Sequence, residues 1–391
     1  YLLNLRFDKE ELGYLRGLPQ FANASPGFFD YLKDLRFTGD LFAAPEGTPL
    51  FAGEPVLTVR APLIEAQIAE TYLLATIGFQ SLVATKAARI VETAAGRSVV
   101  EFGTRRAHSP EAGVLAGRAA YIGGCDGTSN TLAGFRYGIP VFGTAAHSWV
   151  LAFPSESESF KELQRLLGTA TIYLIDSYDT AEGARKAAAL GEPLWGVRLD
   201  SGDLDALARE VRTILNSAGL EKAKIMATGD LNEYRIRELV ASGAPIDAFG
   251  VGTELATSAD APSLGAVYKL VELEANGERR YTAKFSAEKV TMPGAKQVFR
   301  FADHDEIACA SECPVERQWH EPVEALLRPA IYGGQLVEEL PDARAARRRA
   351  AECLRKLPEA CRRLHGPDPY RVEYSRDLKL LQEHARRQAT A

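Results

Sequence analysis

The spacing of hydrophobic and polar positions changes twice along the chain and divides it into three regions. In residues 1–96 helical and extended patterns mix. Asp8-Lys9-Glu10-Glu11 before Leu12 and Leu15, and Ser25-Pro26 before Phe28, Phe29 and Leu32, read as helix starts, with an N-cap and early acids or a first-turn proline. Thr48 to Val59 reads as short strands broken by Gly53 and Pro55. Apolar residues at helical spacing from Leu63 to Thr93 predict one long helix. The region reads as an α+β domain.

From residue 97 to about 275 short apolar runs rich in β-branched residues alternate with helical segments, the pattern of buried parallel strands joined by crossover helices. Eight runs begin near Val99, Ala120, Pro140, Thr171, Leu194, Lys224, Ile246 and Ala266. Eight strands close a (β/α) barrel, and such barrels carry their chemistry at the carboxyl ends of the strands. Most of the runs end in Gly with Asp, Arg, His, Ser or Thr, which argues for a shared site at that rim. Residues 276–391 predict a hairpin around Met292-Pro293-Gly294-Ala295 and a long polar helix from Asp342, whose Arg347-Arg348-Arg349 reads as a solvated face.

Composition narrows the partners. The 391 residues carry 46 Lys and Arg against 52 Asp and Glu, a net charge of −6, which speaks against a dominant nucleic-acid or polybasic membrane surface. No apolar run reaches the ~18 residues of a membrane span, and no signal-peptide pattern opens the chain. Five cysteines are too few for a disulfide scaffold and fit a reducing, cytoplasmic setting. Cys309-x3-Cys313 and Cys353-x7-Cys361 lack the tight spacing of a zinc site, and Cys125 stands alone, so buried or idle thiols are expected. The chain opens on Tyr1 and not methionine, so its start is expected not to be the native one.

The rim clusters supply candidate chemistry. Gly250-Val251-Gly252-Thr253 allows close backbone approach to a phosphate, or serves tight packing alone. Arg105, Arg106 and Arg198 can bind phosphate or carboxylate as bidentate forks, or pair with rim acids. Asp176, Asp200 and Asp230 can hold Mg²⁺, orient a histidine or bind ribose hydroxyls, whereas Asp179, Ser201 and Asp203 read as helix caps. His147, among small neighbours just past an apolar run, can stand in a cleft as a catalytic imidazole or serve structure alone. His108 lies at a helix start, where Ser109-Pro110 reads as a cap.

An ordered set of these motifs resembles the nicotinate phosphoribosyltransferase family. It comprises Glu101-Phe102-Gly103-Thr104-Arg105-Arg106, Tyr121-Ile122-Gly123-Gly124-Cys125-Asp126-Gly127-Thr128-Ser129-Asn130 and Gly143-Thr144-Ala145-Ala146-His147-Ser148-Trp149. Asp176 to Thr180, Val197 to Asp203, Gly229-Asp230-Leu231, Phe249 to Thr253 and Lys289 to Gly294, similar to the family's post-barrel hairpin, continue it. The resemblance implies an α/β fold: an irregular (β/α) barrel of the type II phosphoribosyltransferase kind, with an α+β domain built from both chain ends, in a homodimer. The expected domains are residues 1–96, 97–275 and 276–391.

The implied reaction joins nicotinate to phosphoribosyl pyrophosphate, giving nicotinate mononucleotide and pyrophosphate for NAD salvage, with ATP hydrolysis coupled through a phosphohistidine. ATP and Mg²⁺ are the implied cofactors. On this resemblance His147 accepts the phosphoryl group and Asp176 orients its ring. Phe102 lies against the pyridine ring. Arg198 and Thr144 bind the nicotinate carboxylate or a neighbouring phosphate, and Arg105 neutralises pyrophosphate. Asp200 and Asp230 hold ribose or Mg²⁺, Gly229, Gly250, Gly252 and Thr253 cradle the ribose phosphate, and Asp126 and Ser148 also bind substrate; no direct metal ligand is assigned. Family members begin with a Thr-Asp-x-Tyr segment that this chain starts beyond, so truncation is expected to bear on base binding and the dimer contact. The alternatives are a nicotinamide-using relative and a non-catalytic truncated subunit.

Overall fold

The structure is a computed structural model that describes residues 1–286, 289–312 and 323–390. Its N-terminal helices form where local chemistry favours them. Asp8 closes a capping box with Glu11 on α1 (Lys9–Gly17), and Pro26 opens α2 (Pro26–Asp34). Strands β1 (Asp40–Ala43) and β2 (Leu57–Arg60) pair antiparallel; most of Thr48 to Val59, read as strand, is irregular, with Glu54 accepting from the Phe51 N–H. Segment Arg328–Tyr332 from the far end of the chain pairs with β1, so both chain ends build this domain.

The expected single helix over Leu63 to Thr93 is two, α3 (Leu63–Ile68) and α4 (Glu70–Thr93), broken at the buried Ala69. Leu73, early in α4, packs on the N-terminal cluster, whereas Val83, Ala87 and Ile90 are fully buried in the barrel core.

The barrel sheet contains β3 (Ser98–Glu101), β4 (Gly127–Thr128), β5 (Ile172–Leu174), β6 (Gly196–Leu199), β7 (Lys224–Ala227) and β8 (Ala248–Val251), all parallel, in the order β4-β3-β8-β7-β6-β5. A single bridge from Thr128 to Val141 extends it beyond β4. The ring is therefore continuous except for a seam between Val141 and β5. Helices clothe it: α5 (Pro110–Ile122), α6 (Thr131–Tyr137), α7 (His147–Leu151), α8 (Glu156–Leu167), α9 (Thr180–Leu190), α10 (Leu204–Ser217), α11 (Glu233–Ala241) and the short α12 (Thr253–Ala256). Val100, Ile172, Met226 and Ala248 fill the interior between Phe102, which follows β3, and Trp195, which precedes β6.

Three of the eight expected strands need correction. Ala120 to Gly123 is the end of helix α5, whose eight buried residues show no polar face to reveal the helical period. Pro140 to Gly143 contributes one bridge, and Ala266 to Leu270 joins no ladder, although Tyr268 donates to the Ala66 carbonyl. Met292 to Ala295 is no hairpin turn either: it links Lys289–Val290, paired with Phe285–Ser286, to Lys296–Arg300 of another sheet.

The polar helix expected from Asp342 is α13 (Ala343–Lys356), and the Asp342 side chain caps it. Its basic run is only partly solvated. Arg347 donates to the Gly124 carbonyl and Asp126 and lies over the Tyr121 ring, while Arg349 donates to Thr48 and Glu324; Arg348 alone is exposed. Cys125 is a buried thiol and Cys353 and Cys361 are half-buried, while Cys313 lies outside the described residues. No described helix is long and apolar enough to cross a membrane.

The C-terminal sheet buries an acid pair. Asp305 is fully buried and forked by Arg300, and Tyr370 donates to it. Glu54 lies against Asp305 with one carboxyl oxygen lacking a donor, and burial followed by the Asp305 contact pushes its acid up to about 8. A raised folded pKa gives stability that is complete below the unfolded value and lost as pH rises through the folded one. The thermal midpoint is expected to fall by about 5 °C between pH 5 and 8.5, with Glu54→Gln removing most of that dependence in calorimetric scans.

Candidate active site

Arg198 leaves β6 pointing into the mouth of the barrel, where its guanidinium is satisfied on three sides. Nε donates to Thr228 Oγ1 at 2.8 Å, Nη1 to Thr144 Oγ1 at 2.6 Å and Nη2 to Asp200 Oδ1 at 2.6 Å. Thr228 follows β7 and Thr144 lies across the seam, so one side chain ties three parts of the rim together. It also stands 5.8 Å from the centre of the Phe102 ring.

Asp200 is held in turn. Its Oδ1 also takes the Thr228 hydroxyl proton, and its backbone N–H donates to Asp176 Oδ2 at 3.0 Å. Burial opposes ionisation, but the Thr228 hydrogen bond and Arg198 outweigh it and hold the carboxyl below its usual range. Its second oxygen lies 3.7 Å from His147 Nε2.

His147 opens α7 on the far bank of the seam. Its Nδ1 is 3.1 Å from Ser177 Oγ, and 43% of its side chain is exposed. The expected partnership with Asp176 is a correction: the ring is flanked by Ser177 and Asp200, while Asp176 accepts from the Asp200 N–H and from Ser201 Oγ at 2.7 Å. Asp176 thus shapes the β6 rim turn, and its other oxygen, Oδ1, is buried without a partner. Ser201, read as a cap, serves this carboxylate; Asp179 and Asp203 cap α9 and α10 and Ser109 caps α5, as expected.

Glycines let these groups close up. A Cβ on Gly250 would lie 2.6 Å from Thr228 and 2.8 Å from the Phe102 ring, and one on Gly229, at φ +88°, would lie 2.0 Å from the Asp200 carbonyl. Below Phe102, Glu101 is fully buried; it accepts from the Thr128 hydroxyl and the Gly103 N–H, and burial raises its pKa. Asp230, at φ +46°, Thr253, Ser148 and Arg105 lie exposed around the rim, with Gly252 half-buried beside them. Asn232 already caps the Tyr234 and Arg235 N–H groups of α11, so the turn at Gly229 and Asp230, rather than the helix end, faces solvent.

Asp126 is the site residue that the structure moves away. It accepts from Ser98 Oγ and the Val99 N–H at the start of β3 and pairs with Arg347, on the rim opposite His147. The reason is local: Ala120 to Gly123 ends a helix, so Asp126 precedes its strand instead of following it. Thr228 and Ser177 were missed, although both sit in the rim clusters of the sequence. Among the described residues no group of three or more His, Cys, Asp or Glu side chains is disposed to hold a metal.

Parallel strands whose carboxyl ends gather a guanidinium, an imidazole and glycine turns define a barrel enzyme suited to anionic substrates. Comparison with known proteins narrows the class. Models of the nicotinate phosphoribosyltransferase N-terminal domain, family and C-terminal domain match residues 1–78, 97–299 and 317–382. A nicotinate phosphoribosyltransferase of Mycobacterium tuberculosis is 44% identical over 371 residues, which cover 93% of this chain and 78% of that protein. The crystal structure of human nicotinic acid phosphoribosyltransferase superposes with a TM-score of 0.83 at 29% identity, covering 98% of this chain and 90% of that one. A nicotinate-nucleotide pyrophosphorylase from Pyrococcus furiosus gives 0.71 at 33% identity, covering 82% and 81%. The chain belongs to the nicotinate phosphoribosyltransferase family.

Thr228→Val keeps the shape but removes the hydroxyl that serves Arg198 and Asp200. It is expected to cost about 1–3 kcal/mol at pH 7 in urea unfolding. A depressed carboxyl pKa gives stability that is present above the unfolded value and lost as pH falls through the folded one. The difference between parent and variant should therefore shrink as the pH falls below the ordinary carboxylate value of 3.8.

Proposed function

We propose that this protein joins nicotinate to phosphoribosyl pyrophosphate, with ATP hydrolysis coupled through a phosphohistidine at His147. The pyridine nitrogen attacks C1 of the ribose, the bond from C1 to the pyrophosphate oxygen breaks, and pyrophosphate leaves with the bonding pair. The observation that carries this reading is the joint placement of Phe102, Arg198 and His147. An aromatic face, a guanidinium and a half-exposed imidazole lie at one mouth.

In the binding step Arg198 gives the nicotinate carboxylate a charged donor while Phe102 covers the ring. Arg105, exposed after β3, meets the pyrophosphate, and the turns at Gly229-Asp230 and Gly250 to Thr253 receive the ribose phosphate. Asp200 is committed to Arg198 and Thr228 through one oxygen, which leaves the other for a ribose hydroxyl or for His147. The second oxygen of Asp200 and the exposed Asp230 would hold Mg²⁺ at the rim, where it would neutralise charge on the substrate phosphates.

For the coupled step, an imidazole nitrogen of His147 attacks the γ-phosphorus of ATP, ADP departs, and water later cleaves the phosphoramidate to release phosphate. The Ser177 contact at Nδ1 and the exposed ring favour a phosphoryl acceptor over a packed structural histidine. A second copy of the chain covering the mouth fits the exposed Leu151, on the helix that His147 opens, and Tyr178, next to Ser177.

With γ-labelled ATP the parent is expected to acquire an acid-labile, alkali-stable label, and His147→Ala none. Mononucleotide formation should proceed with nicotinate at least tenfold faster than with nicotinamide, and ATP should stimulate the parent but not the variant. A parent that makes mononucleotide yet never labels would contradict the coupling, and one that prefers nicotinamide would contradict the substrate.

A further inference from the structure

Two turns are given to the ribose phosphate above, and each is followed at once by an acid. Glu233 opens α11 after Gly229-Asp230-Leu231-Asn232, and Glu254 lies in α12 after Gly250-Val251-Gly252-Thr253. Carboxylates here work against a site for a phosphate dianion, because their field opposes the charge that the turns must receive. Glu233 is also fully buried, where an unpaired charge is costly.

Lys86 answers both problems. It projects from the barrel face of α4, between Val83 and Ile90, and its side chain is only 2% exposed. Its Nζ lies 2.8 Å from Glu233 Oε2, 2.8 Å from Asp260 Oδ1 and 3.7 Å from Glu254 Oε2. Arg89, nearly one turn further on, adds contacts of 2.5 Å to Glu233 Oε1 and 2.6 Å to Asp260 Oδ2, and donates to the Tyr234 hydroxyl. Burial works against the Asp260 carboxylate, yet the hydrogen bonds from these two cations bring its acid down to about 2. One buried ammonium therefore meets the elements that follow both phosphate turns and the segment beyond α12.

A fully buried ion pair is a poor device for stability, since apolar residues of similar volume often do as well. That makes its position behind the two turns informative. We propose that Lys86 is a positioning residue for the phosphoribosyl group: by neutralising Glu233, and with it Glu254, it keeps the buried Glu233 carboxylate from driving the Gly229-Asp230 turn out of line with the Gly250–Thr253 turn, so that both can face one phosphate. Lys86 is buried behind the turns and acts on substrate only through them. The inference rests on the reading of those turns given above.

Calorimetric titration with phosphoribosyl pyrophosphate tests it in the parent, in Lys86→Met and in the double variant Lys86→Met with Glu233→Gln, alongside the KM for nicotinate. Lys86→Met is expected to weaken phosphoribosyl pyrophosphate binding at least tenfold and to move the nicotinate KM less than twofold. The double variant, freed of the buried carboxylate, should recover to within threefold of the parent. A folded Lys86→Met protein with parent-like binding would overturn the proposal, as would a double variant that regains its thermal midpoint but still binds tenfold worse. Should Lys86→Met fail to fold, the double variant decides alone by the same limits. A parent that binds phosphoribosyl pyrophosphate but forms no mononucleotide would count against the proposed reaction and leave this inference standing.

Discussion

A guanidinium can serve three acceptors at once only when they lie around its plane, and Arg198 has Thr228, Thr144 and Asp200 so disposed. Two of them belong to the continuous part of the ring and one to the far bank of the seam. The barrel has no ladder between Val141 and β5, so backbone hydrogen bonds do not fix that opening. Side chains do: Arg198 to Thr144, and His147 to Ser177. The groups that could bind an anion are the same groups that hold the mouth in shape, so substrate contacts and rim geometry are coupled from the start.

That coupling explains how the periphery is built. Glycines at 229 and 250 bring Asp200, Thr228 and Phe102 within contact that a Cβ would forbid. Glu101 and Thr128 hold the turn after β3 from beneath. Helix α4 runs from the N-terminal cluster into the barrel core and carries Lys86 and Arg89 to the back of the rim. The opposite rim is tied by Asp126 and Arg347, which dock α13 where no chemistry is needed.

Much of this is legible in the sequence where patterns are local. Strands β3, β5, β6, β7 and β8 show as short apolar runs, and most of the rim motifs follow them directly. The reading fails where burial erases periodicity. Ala120 to Gly123 has the apolar look of a strand because α5 is buried on nearly all sides, and this one reversal also sends Asp126 to the wrong rim. Two-residue β4 and the lone bridge at Val141 are too short to carry a pattern. The partners of His147 depend on which bank of the seam each loop reaches, and no spacing along the chain encodes that. Lys86 did leave a signal, a single cation on the apolar face of a long helix beside Val83, Ala87 and Ile90. Its meaning requires the acids from α11 and α12, some 150 residues away.

Arg198 holds the seam closed from inside the mouth. Amide hydrogen exchange followed by mass spectrometry, comparing the parent with Arg198→Met, reads that hold at the residues beside it. Exchange of the hydrogen-bonded amides of Phe142, Trp149 and Ala152, which flank the Arg198 contact at Thr144, should accelerate at least tenfold while β7, β8 and α11 keep parent-like protection. Unchanged protection of those three amides in a folded Arg198→Met protein would rule out this hold.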